Sequence, residues 1–279
     1  MSADYSETTE RARQYYNSKD AHSFYTTIWG GEDHHLGIYE SPDESIYDAS
    51  RRIVDHMAAK IRNLSSESNL IDVGSGFGGT ARHLARRFGC KVTCLNLSEV
   101  ENKRNRKMSA EQGLDNLITV ADGNFEQLPL ADNQFDCVWS QDAILHSGQR
   151  DRVLAEMKRV LKSGGEAMFT DIMQADECPQ SVIEPILARI HLDSLGSPDF
   201  YIDTARDLGF EIVEHEDLTP HLITHYSRVL EETEKHESEL LSCVSREYLD
   251  NMRVGLQHWI DGGRNGHLAW GLFHFRLPS

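Results

Sequence analysis

The chain has 279 residues, a length suited to one α/β domain with insertions and short for two complete enzymes. Its 28 lysines and arginines stand against 45 aspartates and glutamates, a formal charge of −17, which excludes a large contact surface for nucleic acid or an anionic membrane and points to a small-molecule partner. No run of about 18 apolar residues occurs and residues 1–13 are polar and acidic, so a soluble, cytoplasmic protein is expected, as a monomer or homodimer.

In chain order, Ser41-Pro42-Asp43-Glu44 predicts a helix start whose helix carries Ile46, Ile53, Val54, Met57 and Ile61. From residue 69 short apolar runs alternate with amphipathic helical patterns, the form of a parallel sheet covered on both faces. Strands are expected at 69–73, 91–95, 118–122, 135–140 and 166–172, with 210–216 and 267–277 closing the sheet. The first intervening helix carries Ala81, Leu84, Ala85 and Phe88 and stops at Gly89. The next opens on a capping box, Ser98 with Glu101, and stops at Gly113; a third carries Val153, Met157, Val160 and Leu161 and ends at Gly164-Gly165. A stripe of Leu249, Met252, Leu256, Trp259 and Ile260 marks one or two helices between the last two strands, a natural lid. One domain follows: a helical cap over 1–64, a ligand-binding core over 65–175, and the rest of the sheet over 176–279 with a helical lid over 224–262. Five cysteines, Cys90, Cys94, Cys137, Cys178 and Cys243, show no paired spacing, so neither a disulfide framework nor a zinc site is implied; the first three fit buried strand positions.

Between the first strand and its helix runs Asp72-Val73-Gly74-Ser75-Gly76-Phe77-Gly78-Gly79, which satisfies G-x-G-x-x-G. That pattern alone also fits nicotinamide and flavin enzymes, in which the loop seats a pyrophosphate at a helix start. Three features weigh against a dinucleotide. Asp72 is placed to anchor a cationic amino-acid end and would repel a pyrophosphate. Asn96, followed by Leu97, stands where a dinucleotide fold places an acid for the ribose, although it could equally cap the next helix. Asp122-Gly123-Asn124 follows the third strand; Asp122 is either an adenine acceptor or a strand-end turn residue. The succession resembles class I methyltransferases, which implies S-adenosylmethionine as cofactor and a Rossmann-like sheet of seven mostly parallel strands, helices on both faces and an antiparallel last strand.

After the fourth strand, ending in Ser140, which is counted with the cofactor wall, comes Gln141-Asp142-Ala143-Ile144-Leu145-His146. If this turn is helical, Asp142 and His146 share one face and can orient an acceptor amine and take its proton. The plainer roles, a structural histidine and a helix cap, stay open. This segment resembles phosphoethanolamine methyltransferases, in which the matching histidine pairs with an N-terminal tyrosine; Tyr16 is the counterpart here, with Tyr15 as competitor.

A resemblance along the whole chain is to the sarcosine/dimethylglycine N-methyltransferases. It rests on Tyr15-Tyr16-Asn17-Ser18, on Trp29-Gly30-Gly31-Glu32-Asp33-His34-His35-Leu36-Gly37-Ile38-Tyr39, on Ile190-His191-Leu192-Asp193-Ser194-Leu195-Gly196-Ser197-Pro198, and on Gly255-Leu256-Gln257-His258-Trp259-Ile260-Asp261-Gly262-Gly263 with Leu268-Ala269-Trp270-Gly271. The resemblance implies methylation of sarcosine and dimethylglycine nitrogen to betaine. Such a zwitterion calls for a cation at its carboxylate, for which Arg189, Arg253 and Arg264 are candidates, and for aromatic faces around the nitrogen, for which Tyr25, Trp29, Trp259 and Trp270 are candidates or else core residues. The acidic, histidine-bearing stretch 32–35 invites a metal, but adjacent residues on one loop rarely converge as three ligands, and no metal is expected. Competing readings are a methyltransferase for a phosphobase, a ring or a lipid, an NAD-dependent oxidoreductase, and a non-catalytic binder of an adenosine ligand.

Overall fold

Alternation with period two along the first strand decides how the sheet is covered. Leu70 packs into one apolar cluster, whereas Ile71 and Val73 pack into a second on the opposite face. The computed structural model describes residues 7–188 and 192–279. Its strands are β1 (Asn69–Val73), β2 (Lys91–Asn96), β3 (Ile118–Asp122), β4 (Phe135–Gln141), β5 (Leu161–Gln174), β6 (Glu211–Asp217) and β7 (Leu268–Arg276). The helices are α1 (Glu7–Asn17), α2 (Lys19–Ile28), α3 (Ile46–Ala58), α4 (Gly79–Phe88), α5 (Glu99–Glu111), α6 (Arg150–Val160), α7 (Gln180–Ala188), α8 (Pro198–Asp207), α9 (Thr219–Lys235), α10 (Glu237–Leu240) and α11 (Arg246–Arg264).

The seven strands lie in the order β3-β2-β1-β4-β5-β7-β6. β1 to β5 run parallel, and β7 is antiparallel to both β5 and β6. The direction of chain progression reverses between β1 and β4, which opens a crevice at their carboxyl ends. One face carries apolar residues of α2, α3, α4, α9 and α11; the other carries α6 and α8. Cys90, Cys94 and Cys137 are buried thiols, as their strand-like surroundings suggest.

Three boundaries differ from expectation. The helix expected from Pro42 begins at Ile46, capped by Ser45, whose Oγ accepts from Asp48 N–H at 3.0 Å. Glu44 is diverted to the Glu40 N–H and to Arg52. Helix α6 ends at Val160, and Leu161 starts β5 because it pairs with Phe135; Gly164, at φ 73°, sits within that strand rather than ending a helix. The segment expected to be a lid forms α9, α10 and α11. Among the described residues none of them borders the crevice, because their apolar stripes are used against the sheet and α7.

In the second cluster Phe169 is fully buried among Phe273, Phe275 and Tyr201, with ring centroids 4.8, 5.5 and 5.3 Å away. Phe169→Ala is expected to cost about 3–5 kcal/mol of stability, seen as a lower urea midpoint; a loss under about 1 kcal/mol contradicts this packing account.

Candidate active site

The crevice is built from the strand ends upward. Asp72 and the glycine loop supply its floor, Asn96 and Leu97 one side, Gly123, Asn124 and Phe125 the far end, and Gln141, Asp142, Ala143 and His146 the near wall. The roof comes from the N-terminal segment: Thr9, Ala12 and Tyr16 of α1, and residues 32–35. The loop must be glycine where it meets the near wall. At Gly74, with φ 80°, an added Cβ would lie 2.3 Å from the Ala143 Cβ.

The start of α4 decides between phosphate and amino-acid ligands. Its first amide, Gly79 N–H, donates to the Glu32 carbonyl at 3.1 Å. A Cβ on Gly79 would sit 2.3 Å from Asp33 Oδ1, and Arg51 joins the Asp33 carboxylate to the Gly79 carbonyl. The helix N-terminus that would receive a pyrophosphate is therefore taken by the chain's own acidic segment, and a dinucleotide seated in the usual way is excluded. This also assigns a place to the stretch 32–35, which the sequence offered as a candidate metal site and as part of the family block 29–39. Among the described residues no group of three His, Cys, Asp or Glu side chains is placed to hold a metal.

What remains open in the wall is polar and specific. Asp72 Oδ2, Ser75 Oγ and Gln141 Nε2 are buried without a protein partner. The Gln141 amide is oriented from behind, its Oε1 accepting from Thr80 Oγ1 at 2.8 Å and from Trp139 Nε1 at 2.9 Å. One acceptor beside two donors matches the ammonium and carboxylate of an amino-acid end. Burial pushes Asp72 up to about 7. Five carboxylate side chains and no lysine or arginine line the crevice among the described residues, a field that favours cationic ligands.

Glu101 is a site residue that sequence reasoning treated only as a helix cap. Ser98 Oγ does accept from Glu101 N–H at 3.2 Å, but the Glu101 carboxylate turns into the crevice and accepts from Asn96 Nδ2 at 2.8 Å. The acid missing from the end of β2 is thus supplied one helical turn later. Burial raises Glu101 to about 7, and His34, 3.4 Å away, is pushed down to about 3 by burial, so it stands as a neutral imidazole. His34 sits edge-on to Phe77 at 4.0 Å and stacks on Tyr25 at 4.8 Å.

Tyr16 Oη meets His146 Nε2 at 2.8 Å, so Tyr16 rather than Tyr15 faces the crevice; Tyr15 instead contacts the Tyr248 hydroxyl at 3.0 Å. The expected helical pairing of Asp142 with His146 does not form. Asp142 is left-handed, at φ 49°, and the 3-10 turn begins only at Ile144. Its carboxylate accepts from Leu36 N–H at 2.7 Å, Thr170 Oγ1 at 2.9 Å and Trp270 Nε1 at 2.8 Å. Burial favours its protonation and these donors oppose it. Asp142 is an acceptor that ties the N-terminal segment to the sheet.

Several other expected residues stand behind the wall. Both oxygens of Asp122 are engaged, by Asn102 at 2.8 Å and Arg106 at 2.7 Å, and its half-exposed side chain does not border the crevice. Ser140 is fully buried and donates to the Val73 carbonyl at 2.7 Å, joining β4 to β1. Trp29 donates to the His35 carbonyl at 3.2 Å, Trp259 to the Ile186 carbonyl at 2.8 Å, and Trp270 to Asp142. With Tyr25, these form the packing behind the site; the rings bordering it are Tyr16, Phe77, Phe125 and the imidazoles of His34, His35 and His146. Arg253 pairs with Glu237 and Asp250, and Arg264 is exposed at the end of α11, so neither reaches the crevice. Arg189 lies outside the described residues.

The family model of a methyltransferase domain matches residues 71–169, the span of this floor and wall. The chain is 56% identical over 267 residues to a sarcosine/dimethylglycine N-methyltransferase of Halorhodospira halochloris, covering 96% of each chain. It belongs to the sarcosine/dimethylglycine N-methyltransferase family. A second member, from Aphanothece halophytica, is 53% identical over 96% of this chain and 97% of its own. A crystal structure from Galdieria sulphuraria, assigned as a sarcosine dimethylglycine methyltransferase, superposes with a TM-score of 0.90 at 41% identity, covering 95% of this chain and 99% of that one. As a methyltransferase of this family the chain uses S-adenosylmethionine. No described helix is long and apolar enough to cross a membrane.

The self-capped helix start carries a prediction of its own. Gly79→Ala is expected to lift residues 32–33 off α4, lowering the thermal midpoint and weakening S-adenosylmethionine binding together; unchanged values for both would contradict the assigned contact.

Proposed function

We propose that this methyltransferase acts on the nitrogen of sarcosine and dimethylglycine, ending at glycine betaine. The observation that carries the reading is the Tyr16–His146 contact at the roof of an acidic crevice; the names of the relatives at 56% and 53% identity support the choice of acceptor.

Asp72 would hold the cofactor's ammonium, Ser75 Oγ and Gln141 Nε2 its carboxylate, and Glu101, with Asn96 behind it, the ribose hydroxyls. Leu97 and residues 123–125 would border the adenine. When bound, S-adenosylmethionine supplies a methyl group on a positively charged sulfur. Everything else is positioning and proton management by the chain. A secondary or tertiary amine arrives protonated at neutral pH and has no lone pair to offer. Tyr16 Oη accepts a hydrogen bond from the acceptor nitrogen, and His146 Nε2 draws the proton through that hydroxyl. Tyr16 borders the space into which the N-methyl groups would project as positive charge builds on the nitrogen.

A methyl-transfer assay over glycine, sarcosine, dimethylglycine and phosphoethanolamine tests the acceptor. Product from sarcosine and dimethylglycine is expected, and its absence with both refutes this reading while leaving the family intact. His146→Ala should lower kcat about 10²–10⁴-fold with S-adenosylmethionine affinity changed less than about threefold. Equal losses in both would make His146 a structural residue.

Asp72 gives a pH dependence with a definite sign. Burial raises its pKa to about 7, so the carboxylate that would hold the ammonium is fully present above that pH and is lost as pH falls through it. Calorimetric affinity for S-adenosylmethionine should therefore weaken from pH 7.5 to pH 6. Asp72→Asn should bind about 10–100-fold more weakly and flatten that dependence; a flat wild-type profile sinks the assignment.

A further inference from the structure

The Tyr16–His146 contact joins two parts of the chain that lie 130 residues apart on different elements. Tyr16 lies on α1, whose only buried residue is Thr9, and Tyr15 and Tyr16 are half-buried against the core. His146 ends a single 3-10 turn. Both parts also carry polar braces: the end of α1 is held by Glu99 and Ser98 through Arg13 and Asn17, and its start by Asp193, a brace that adjoins the one on the histidine side.

On the histidine side the brace is buried. Leu145, next to His146, donates its N–H to Asp171 Oδ1 at 3.1 Å, and Asp171 is held by the Tyr201 hydroxyl. The Leu145 carbonyl accepts from Arg150 Nη2 at 2.9 Å. The same guanidinium reaches Ser194, through its Oγ at 3.0 Å and its carbonyl. On the tyrosine side, Asp193 Oδ2 accepts from Thr8 Oγ1 at 3.0 Å and from the Arg11 guanidinium, both on α1. Asp193 therefore grips the helix bearing Tyr16 while Ser194 grips the arginine that fixes the turn bearing His146.

We propose that Asp193-Ser194 is an alignment bracket, in which Asp193, Arg11 and Arg150 act as positioning residues that set the spacing of the Tyr16–His146 pair. This rests on the proton-handling role proposed for that pair. The two halves differ in accessibility. The Arg11 and Asp193 side chains are 38% and 62% exposed, whereas Arg150 is 8% exposed. The α1 half is the exposed one, and the Arg150 half is buried beside the turn. An exposed ion pair is screened by salt, so the alignment of the pair is tied to ionic strength.

The test compares Asp193→Asn, Arg11→Gln and their double variant with wild type and with His146→Ala. Each single variant should lower kcat about 5–10-fold, since small misplacements of reacting groups are costly. S-adenosylmethionine affinity should stay within about threefold and the thermal midpoint should hold. The double variant should be no worse than either single one, and Asp193→Glu should recover part of the rate. Wild-type kcat in Asp193→Asn, additive losses in the double variant, or an affinity loss matching the rate loss would each overturn the bracket. If His146→Ala turns over normally, the role of the pair itself fails, which is a separate outcome.

Discussion

The buried carboxylate of Asp142 is the junction on which the site is hung. It accepts from the backbone of the N-terminal segment at Leu36, from Thr170 of β5 and from Trp270 of β7. Its left-handed backbone, at φ 49°, turns the chain so that the following residues curl under the roof and deliver His146 to Tyr16. A carboxylate so enclosed is stabilised only while all its donors are in place, and loss of one leaves a buried charge short of partners. Roof, wall and sheet are thereby coupled through one side chain.

The antiparallel insertion of β7 between β5 and β6 is what makes that junction possible. A parallel neighbour would have carried its residue after the strand end away from the crevice; β7, running the other way, presents Trp270 early in the strand, opposite Ile172. The tryptophans expected to cage a methylated nitrogen are used in this manner, as hydrogen-bonding props behind the wall. Smaller rings, Tyr16, His34 and Phe77, border the ligand space itself.

The strands β1, β2 and β3 were legible because each is a short run with apolar residues closed by Gly74, Ser98 or Gly123, and that information is local. Ser98 and the glycines after α4 and α5 were read correctly for the same reason. Asp72, Gly74 and Asn96 could be placed from their position after a strand. Glu101 could not be assigned in full, because a capping-box glutamate and a ligand-facing one have the same spacing, and only the depth of the crevice separates them. Asp122 failed for a related reason: its neighbour on α5, Arg106, competes for it, and a pairing between elements leaves no mark in a linear pattern. A lid was read over 224–262 beside the cap over 1–64, since the amphipathic stripe on α11 signals burial without saying against what.

The occupied start of α4 has a consequence for how such loops change ligands. The glycine pattern is shared between folds that bind phosphate and folds that bind amino acids, and here the discrimination is made by a segment some forty residues upstream that lies on the helix like a stopper. Here the covered helix start and the loop's own Asp72 act together, so part of the ligand preference of this turn is set from outside it.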